Sequence, residues 1–168
     1  MSDQPDAKSF RLARMSPLML TLTLLFLVLP PILLVGALLG RPQFGAAALL
    51  LLAIEAWVWL RFRPSRFTVQ ASGLEVIWPL KSRHIPRESI VSARVIDRQA
   101  LRREIGWGMR VGAGGLWGGF GWLWTKRRGL VQMYISRTDG FVWIERVGGR
   151  PWLLTPEEPA EFVRALSR

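Results

Sequence analysis

The sequence predicts an α+β membrane protein: two apolar helices in a hairpin, then about seven strands, then one closing helix. Residues 17–39, PLMLTLTLLFLVLPPILLVGALL, run for twenty-three positions without a charge, beyond the ~20 residues an α-helix needs to cross the hydrocarbon core. From residue 66 the pattern switches to short alternating runs rich in β-branched and aromatic residues, punctuated by Gly, Pro and Asp-Gly. After Leu154 the chain returns to helical spacing.

Composition agrees. Half of the 168 residues are hydrophobic, yet 23 Lys and Arg face 12 Asp and Glu, a net charge of +11. A chain both oily and basic keeps its charge in flanks and in a water-facing domain. There is no cysteine, which excludes disulfides, thiolate nucleophiles and Cys-ligated metal centres. The length holds one ordinary domain and a small appendage.

Taken in order, residues 1–16 read as a basic tail carrying Lys8, Arg11 and Arg14. Residues 17–60 read as a transmembrane hairpin, because only GRPQ at 40–43 separates the first run from FGAAALLLLAIEAWVWL at 44–60. Seventeen residues are at the short end of the spanning range of about 17–25. Pro30-Pro31 is expected to kink the first helix. Glu55 lies six residues before Arg61, about 9 Å of helical rise, and is expected to snorkel or pair at the interface. Arg61, Arg63 and Arg66 follow the second span, whereas the far end of the hairpin offers only Arg41. Positive charge prefers the cytoplasm, so both termini and the domain at 61–168 are expected there.

Within that domain the expected strands are RFTVQ (66–70), LEVIW (74–78), KSRHI (81–85), SIVSARVI (89–96), LVQMYIS (130–136), FVWIERV (141–147) and RPWLL (150–154). Asp139-Gly140 marks a hairpin. Thr155 is the expected N-cap of the last helix, with Pro156 at its first position and Glu158 three residues on. Phe162, Val163 and Leu166 form its inward face.

The order of elements, with FTVQASGLEV, IPRESI, RREIGWG, GLWGGFGWLW and WLLTPEEPAEFVRAL, resembles the bacterial PH-domain-like family of membrane proteins. The resemblance covers most of 62–168 and implies a PH-like half-open antiparallel β-barrel capped by the C-terminal helix, placed on the bacterial inner membrane as a multi-pass protein. It implies no catalytic function.

The chemistry in the residues agrees. The single histidine, His84, excludes a multi-histidine metal site, and no G-x-S-x-G elbow accompanies any serine. Glu75, Glu88, Asp97, Glu104, Asp139 and Glu145 are scattered, with no spacing for acid–base work. Hence no catalytic, cofactor-binding or metal-binding residue is assigned, and no cofactor is expected.

GWGMRVGAGGLWGGFGWLW, residues 106–124, holds eight glycines and four tryptophans. It matches neither G-x-G-x-x-G nor the P-loop, and no helix follows it to receive an anion. It reads instead as a bulged strand hairpin, with more aromatic surface than a small barrel hides. Bracketed by cations, it supplies the candidate membrane-facing residues: Arg102, Arg103, Trp107, Arg110, Trp117, Trp122, Trp124, Lys126, Arg127 and Arg128. Tryptophan favours the headgroup zone, and each cation near an anionic surface contributes about 1 kcal/mol. The expected partners are anionic lipid headgroups; a homo-oligomer or protein partner in a membrane assembly stands as an alternative. A tethered single-stranded nucleic-acid binder is the other alternative, disfavoured by the membrane anchor beside the tryptophans.

Overall fold

The computed structural model describes residues 7–167; residues 1–6 of the expected tail, and Arg168, lie outside the described residues. The apolar runs form α1 (Pro17–Leu38) and α2 (Gln43–Arg61), which pack on each other as a hairpin. Pro17 starts α1, where its missing N–H has no partner to lose, and the helix continues through Pro30 and Pro31. Both helices are long and apolar enough to cross a membrane, and most of their leucines point outward. Glu55 is buried and makes no ion pair among the described residues.

The hairpin is an insertion into a sheet. Lys8–Arg11, within the segment read as a basic tail, forms β1 and pairs antiparallel with β2 (Arg66–Gln70). The two strands that enter and leave the hairpin are therefore neighbours, so β1 and the rest of the domain stand at the same end of it. Phe10 and Leu12 alternate inward to the core, and Ala13 N–H donates to the Thr155 carbonyl at 2.9 Å.

Among the described residues ten strands form two sheets, against the expected count of about seven. The first sheet orders β1, β2, β3 (Gly73–Ile77) and β4 (Ser82–Pro86). The second orders β5 (Ile90–Ile96), β9 (Phe141–Arg146), β10 (Trp152–Leu154), β8 (Gly129–Ile135), β7 (Gly119–Thr125) and β6 (Gly108–Gly114). All seven expected strands are present, β6 and β7 form the hairpin expected over residues 106–124, and β1 is added. The second sheet has two apolar faces. Phe120, Tyr134, Val142, Ile144, Trp152 and Leu154 meet the first sheet and α4 (Pro159–Ser167). Leu123, Val131, Met133, Trp143 and Leu153 meet Met19 of α1 and a helix, α3 (Arg98–Ile105), that the strand pattern did not announce.

Two local expectations give way to better hydrogen bonding. The glycine-rich hairpin carries no bulge: β6 and β7 pair continuously from Gly108–Thr125 to Gly114–Gly119. Thr155 does not start the last helix. Its hydroxyl is buried and accepts from Ser136 N–H at 2.9 Å, while Pro156 bridges to Leu12. The helix begins instead at Pro159, another proline at a first turn.

Candidate functional site

The β6–β7 hairpin has two ends with different neighbours. At its tip, Gly115 to Gly118 lie against the apolar hairpin. The Thr23 hydroxyl accepts from Trp117 N–H at 2.9 Å and lies 2.8 Å from the Met19 carbonyl and 3.1 Å from the Gly115 carbonyl, either of which takes its one proton. Trp117 packs edge-on to Trp59 of α2, with ring centroids 4.6 Å apart, and Trp59 in turn lies under the Arg63 guanidinium at 4.3 Å. Trp117 is also the one non-glycine with positive φ, 63°, among the described residues. A bulky residue holds that conformation only where its surroundings over-determine it; here the Thr23 bond and the Trp59 ring do so. Thr23 is six residues into α1, about 9 Å of rise, so the tip sits beside the first turns of α1.

The other end gathers most of the remaining candidates. Gly108 and Thr125 lie six residue steps from Gly114 and Gly119, about 20 Å along the strands. There the last turn of α3, carrying Arg102 and Arg103, meets the β7–β8 turn, carrying Lys126, Arg127 and Arg128: Arg127 N–H donates to the Ile105 carbonyl, and its guanidinium donates to the Arg103 carbonyl at 2.6 Å. Trp107 and Trp124 stack edge to face at 6.1 Å. With Met109 and Val111, on the same face by register, they are exposed by 65, 45, 52 and 50 %. Trp122 shares that face, half-buried beneath the Arg150 guanidinium at 4.8 Å. Arg110 points to the opposite face. With Arg98 and Arg102 it rims a groove of about 510 Å³ between α3 and the sheet, floored by Leu101, Ile105, Leu123 and Met133.

Residues 65–168, more than half of the chain, match the bacterial PH domain. The chain belongs to that family. No curated protein and no solved structure matches it. In this bacterial PH domain the apolar helical hairpin is joined to the β-domain through more than its two connections, since Met19 and Thr23 of α1 and Trp59 of α2 all touch the domain.

The candidate cations of this PH domain are not equally free. Arg128 is paired with Glu104 and lies 3.4 Å from Glu145, and Arg94 reaches Glu104 at 3.0 Å. The hydrogen bond from Arg128, helped by the charges of Arg128 and Arg94, holds the Glu104 carboxyl below its ordinary range. Two of the scattered carboxylates, Glu104 and Glu145, thus do meet through Arg94 and Arg128, but as anchors between α3 and the sheet. Arg102, Arg103, Arg110 and Lys126 have no ion-pair partner among the described residues.

Sequence reasoning passes over Thr23 and α3, and reads Trp59 only as part of an aromatic belt at the end of the second apolar run. Thr23 has no local signal beyond lying in an apolar run. The helix α3 has one: Asp97, whose carboxylate accepts from Ala100 N–H at 2.7 Å as an N-cap, followed by Leu101 and Ile105 at helical spacing. The junction itself is testable. Thr23→Val keeps the shape but strands the Trp117 N–H, and is expected to cost about 1–3 kcal/mol. Thermal unfolding in detergent measures this, with Thr23→Ser near wild type; a valine variant that melts like wild type removes the hydroxyl from the junction.

Proposed function

We propose that the chain is a membrane-anchored, non-enzymatic interaction module on the cytoplasmic face of a bacterial inner membrane. Its PH-like domain engages the anionic lipid surface through the β6–β7 hairpin and the cations around it. The observation that carries this is the junction of Trp117 with Thr23 and Trp59, which sets the hairpin tip beside the spanning helices. From there Trp107 and Trp124 extend the aromatic edge, and Arg102, Arg103, Lys126 and Arg127 provide cations for headgroups. The pairing of β1 with β2 agrees with both termini lying on one side, which the excess of Lys and Arg makes the cytoplasm.

The distance of about 20 Å from the tip to Trp107 favours a second reading for that end. If the hairpin stands upright on the bilayer, the exposed face of Trp107, Met109, Val111 and Trp124 lies above the headgroups and meets a protein partner. Fluorescence in anionic nanodiscs separates the two. On the lipid reading, brominated lipid quenches the wild type, and replacing Trp107 and Trp124 by Phe removes part of that quenching. If the replacement leaves the lipid-quenched fraction unchanged while acrylamide quenching falls, those rings face water. Photocrosslinking from position 109 in membranes then identifies the partner.

A further inference from the structure

The inner face of the six-stranded sheet changes character at Trp152. On one side lies the apolar core; on the other stand Arg83 of β4 and Arg146 of β9, brought across the open end of the barrel from different sheets. Their guanidinium carbons lie 5.3 and 5.7 Å from the Trp152 ring centroid. Residues 83 and 85 share a face of β4, as 144 and 146 do on β9; since Ile85 and Ile144 are in the core, both arginines point inward at its margin.

No carboxylate meets them. Neither Arg83 nor Arg146 forms an ion pair, and neither do Arg61, Lys81 or Arg150, among the described residues. Arg83 donates to Gln132 Oε1 at 3.2 Å, and the Gln132 amide nitrogen is engaged with the Tyr134 hydroxyl. Burial pushes that phenol up to about 12, so Tyr134 is neutral and supplies no counter-charge. Two buried donors remain without an acceptor: Trp152 Nε1 and Arg146 Nε. Native proteins rarely leave such groups unpaired, and an unseen water or ion is the usual partner.

We propose that Arg83, Arg146 and the Trp152 indole N–H form a binding site for a phosphate-type oxyanion at the open end of the barrel. Two guanidinium forks suit the oxygens of a phosphate better than a lone cation does, and the indole adds a donor with no acceptor of its own to lose. The approach to the site is cationic. Lys81 lies 4.9 Å from the Trp78 ring, whose N–H donates to the Phe62 carbonyl just after α2. Burial, then the charges of Arg61 and Arg83, lower the Lys81 pKa, and burial with Arg83 lowers that of Arg146. Cations therefore run from the end of the spanning helix to Trp152, the route by which a lipid phosphate would enter. A free phosphate shares the same chemistry.

The test uses the full chain in neutral detergent, where no bilayer contributes. Inorganic phosphate, short-chain phosphatidic acid and short-chain phosphatidylcholine are titrated against chloride at equal ionic strength, and the rise in Tm and bound mass are read. Phosphate and phosphatidic acid are expected to raise Tm, with affinity falling at least tenfold in Arg83→Gln and in Arg146→Gln. Arg146→Lys keeps the charge without the fork and is expected to fall between; it also serves if the glutamine variant does not fold. Arg164→Gln, at an exposed position of α4, is expected to bind as wild type. Tighter binding of phosphatidic acid than of phosphate identifies a headgroup site; the reverse identifies a soluble phosphate. Absence of a shift with all three compounds overturns the proposal, as does equal binding by wild type and the Arg83→Gln/Arg146→Gln double variant.

Discussion

Phe10→Ala is expected to destabilise the domain by about 3–5 kcal/mol, although Phe10 lies in a segment whose charges read as a membrane flank. The ring is buried and meets Phe162 of α4 edge-on at 5.2 Å, while Phe162 meets Phe67 of β2 at 6.0 Å. Removing it opens a cavity beneath the C-terminal helix and loosens an edge strand whose pairing spans four residues. Against the roughly 5–15 kcal/mol that holds a typical domain, that loss is large. Arg14→Ala, at an exposed position of the same segment, is expected to fall within about 0.5 kcal/mol of wild type. A double-mutant cycle with Phe162→Ala should return a coupling of about 0.5–1.5 kcal/mol. Chemical denaturation in micelles measures all three. If Phe10→Ala unfolds where Arg14→Ala does, β1 lies outside the cooperative unit.

What hid β1 also explains which parts of the fold were legible. β2 and β3 carry enough inward positions for alternation to stand out, while β8 and β9, buried on both faces, read as short apolar runs rich in β-branched and aromatic residues, and their turns lie within a few residues. KSFR has one inward position among two cations, and its partner strand lies beyond the whole apolar hairpin. No local pattern reports a pairing at that range. In α3 the helical signal is present but sparse: Leu101 and Ile105 stand among three arginines, two of which, Arg102 and Arg103, read as part of a lipid bracket. Thr155 shows the converse, a sound capping pattern overridden because the buried Ser136 N–H claims the same hydroxyl. The site divides likewise. Composition identified the aromatic and basic residues, but their separation into a tip at Thr23 and a far end at Trp107 depends on strand direction. The sequence contained that only as an expected hairpin. The pairing of Arg83 with Arg146 over Trp152 depends on contact between the two sheets, and residues so far apart carry no shared local signal.

The glycines of residues 106–124 are expected to differ sharply in cost, and Gly121→Val is the extreme. Gly112 and Gly121 face each other in register with φ of 135° and 124°. A Cβ at 121 would stand 2.7 Å from the Val111 carbonyl oxygen and 3.1 Å from the Gly112 Cα. The conflict is with backbone on the partner strand, which no rotamer relieves. The sparsely allowed φ costs about 1–3 kcal/mol and the overpacking about as much again, so a loss of roughly 2–6 kcal/mol is expected. Gly114→Ala, in the same strand pair, meets nothing within 4 Å and has no positive φ; it is expected to stay within about 0.5 kcal/mol of wild type. Since Gly121 lies between Phe120, which fills the core, and Trp122, which lies beneath Arg150, a forced separation of β6 from β7 also moves the hairpin tip on α1. The strand damage should therefore appear in two readouts: a lower denaturation midpoint and weaker lipid protection of the Trp117 environment. Gly121→Val unfolding together with Gly114→Ala would mean that the close approach of the two strands is not needed, and that the glycines serve flexibility rather than packing.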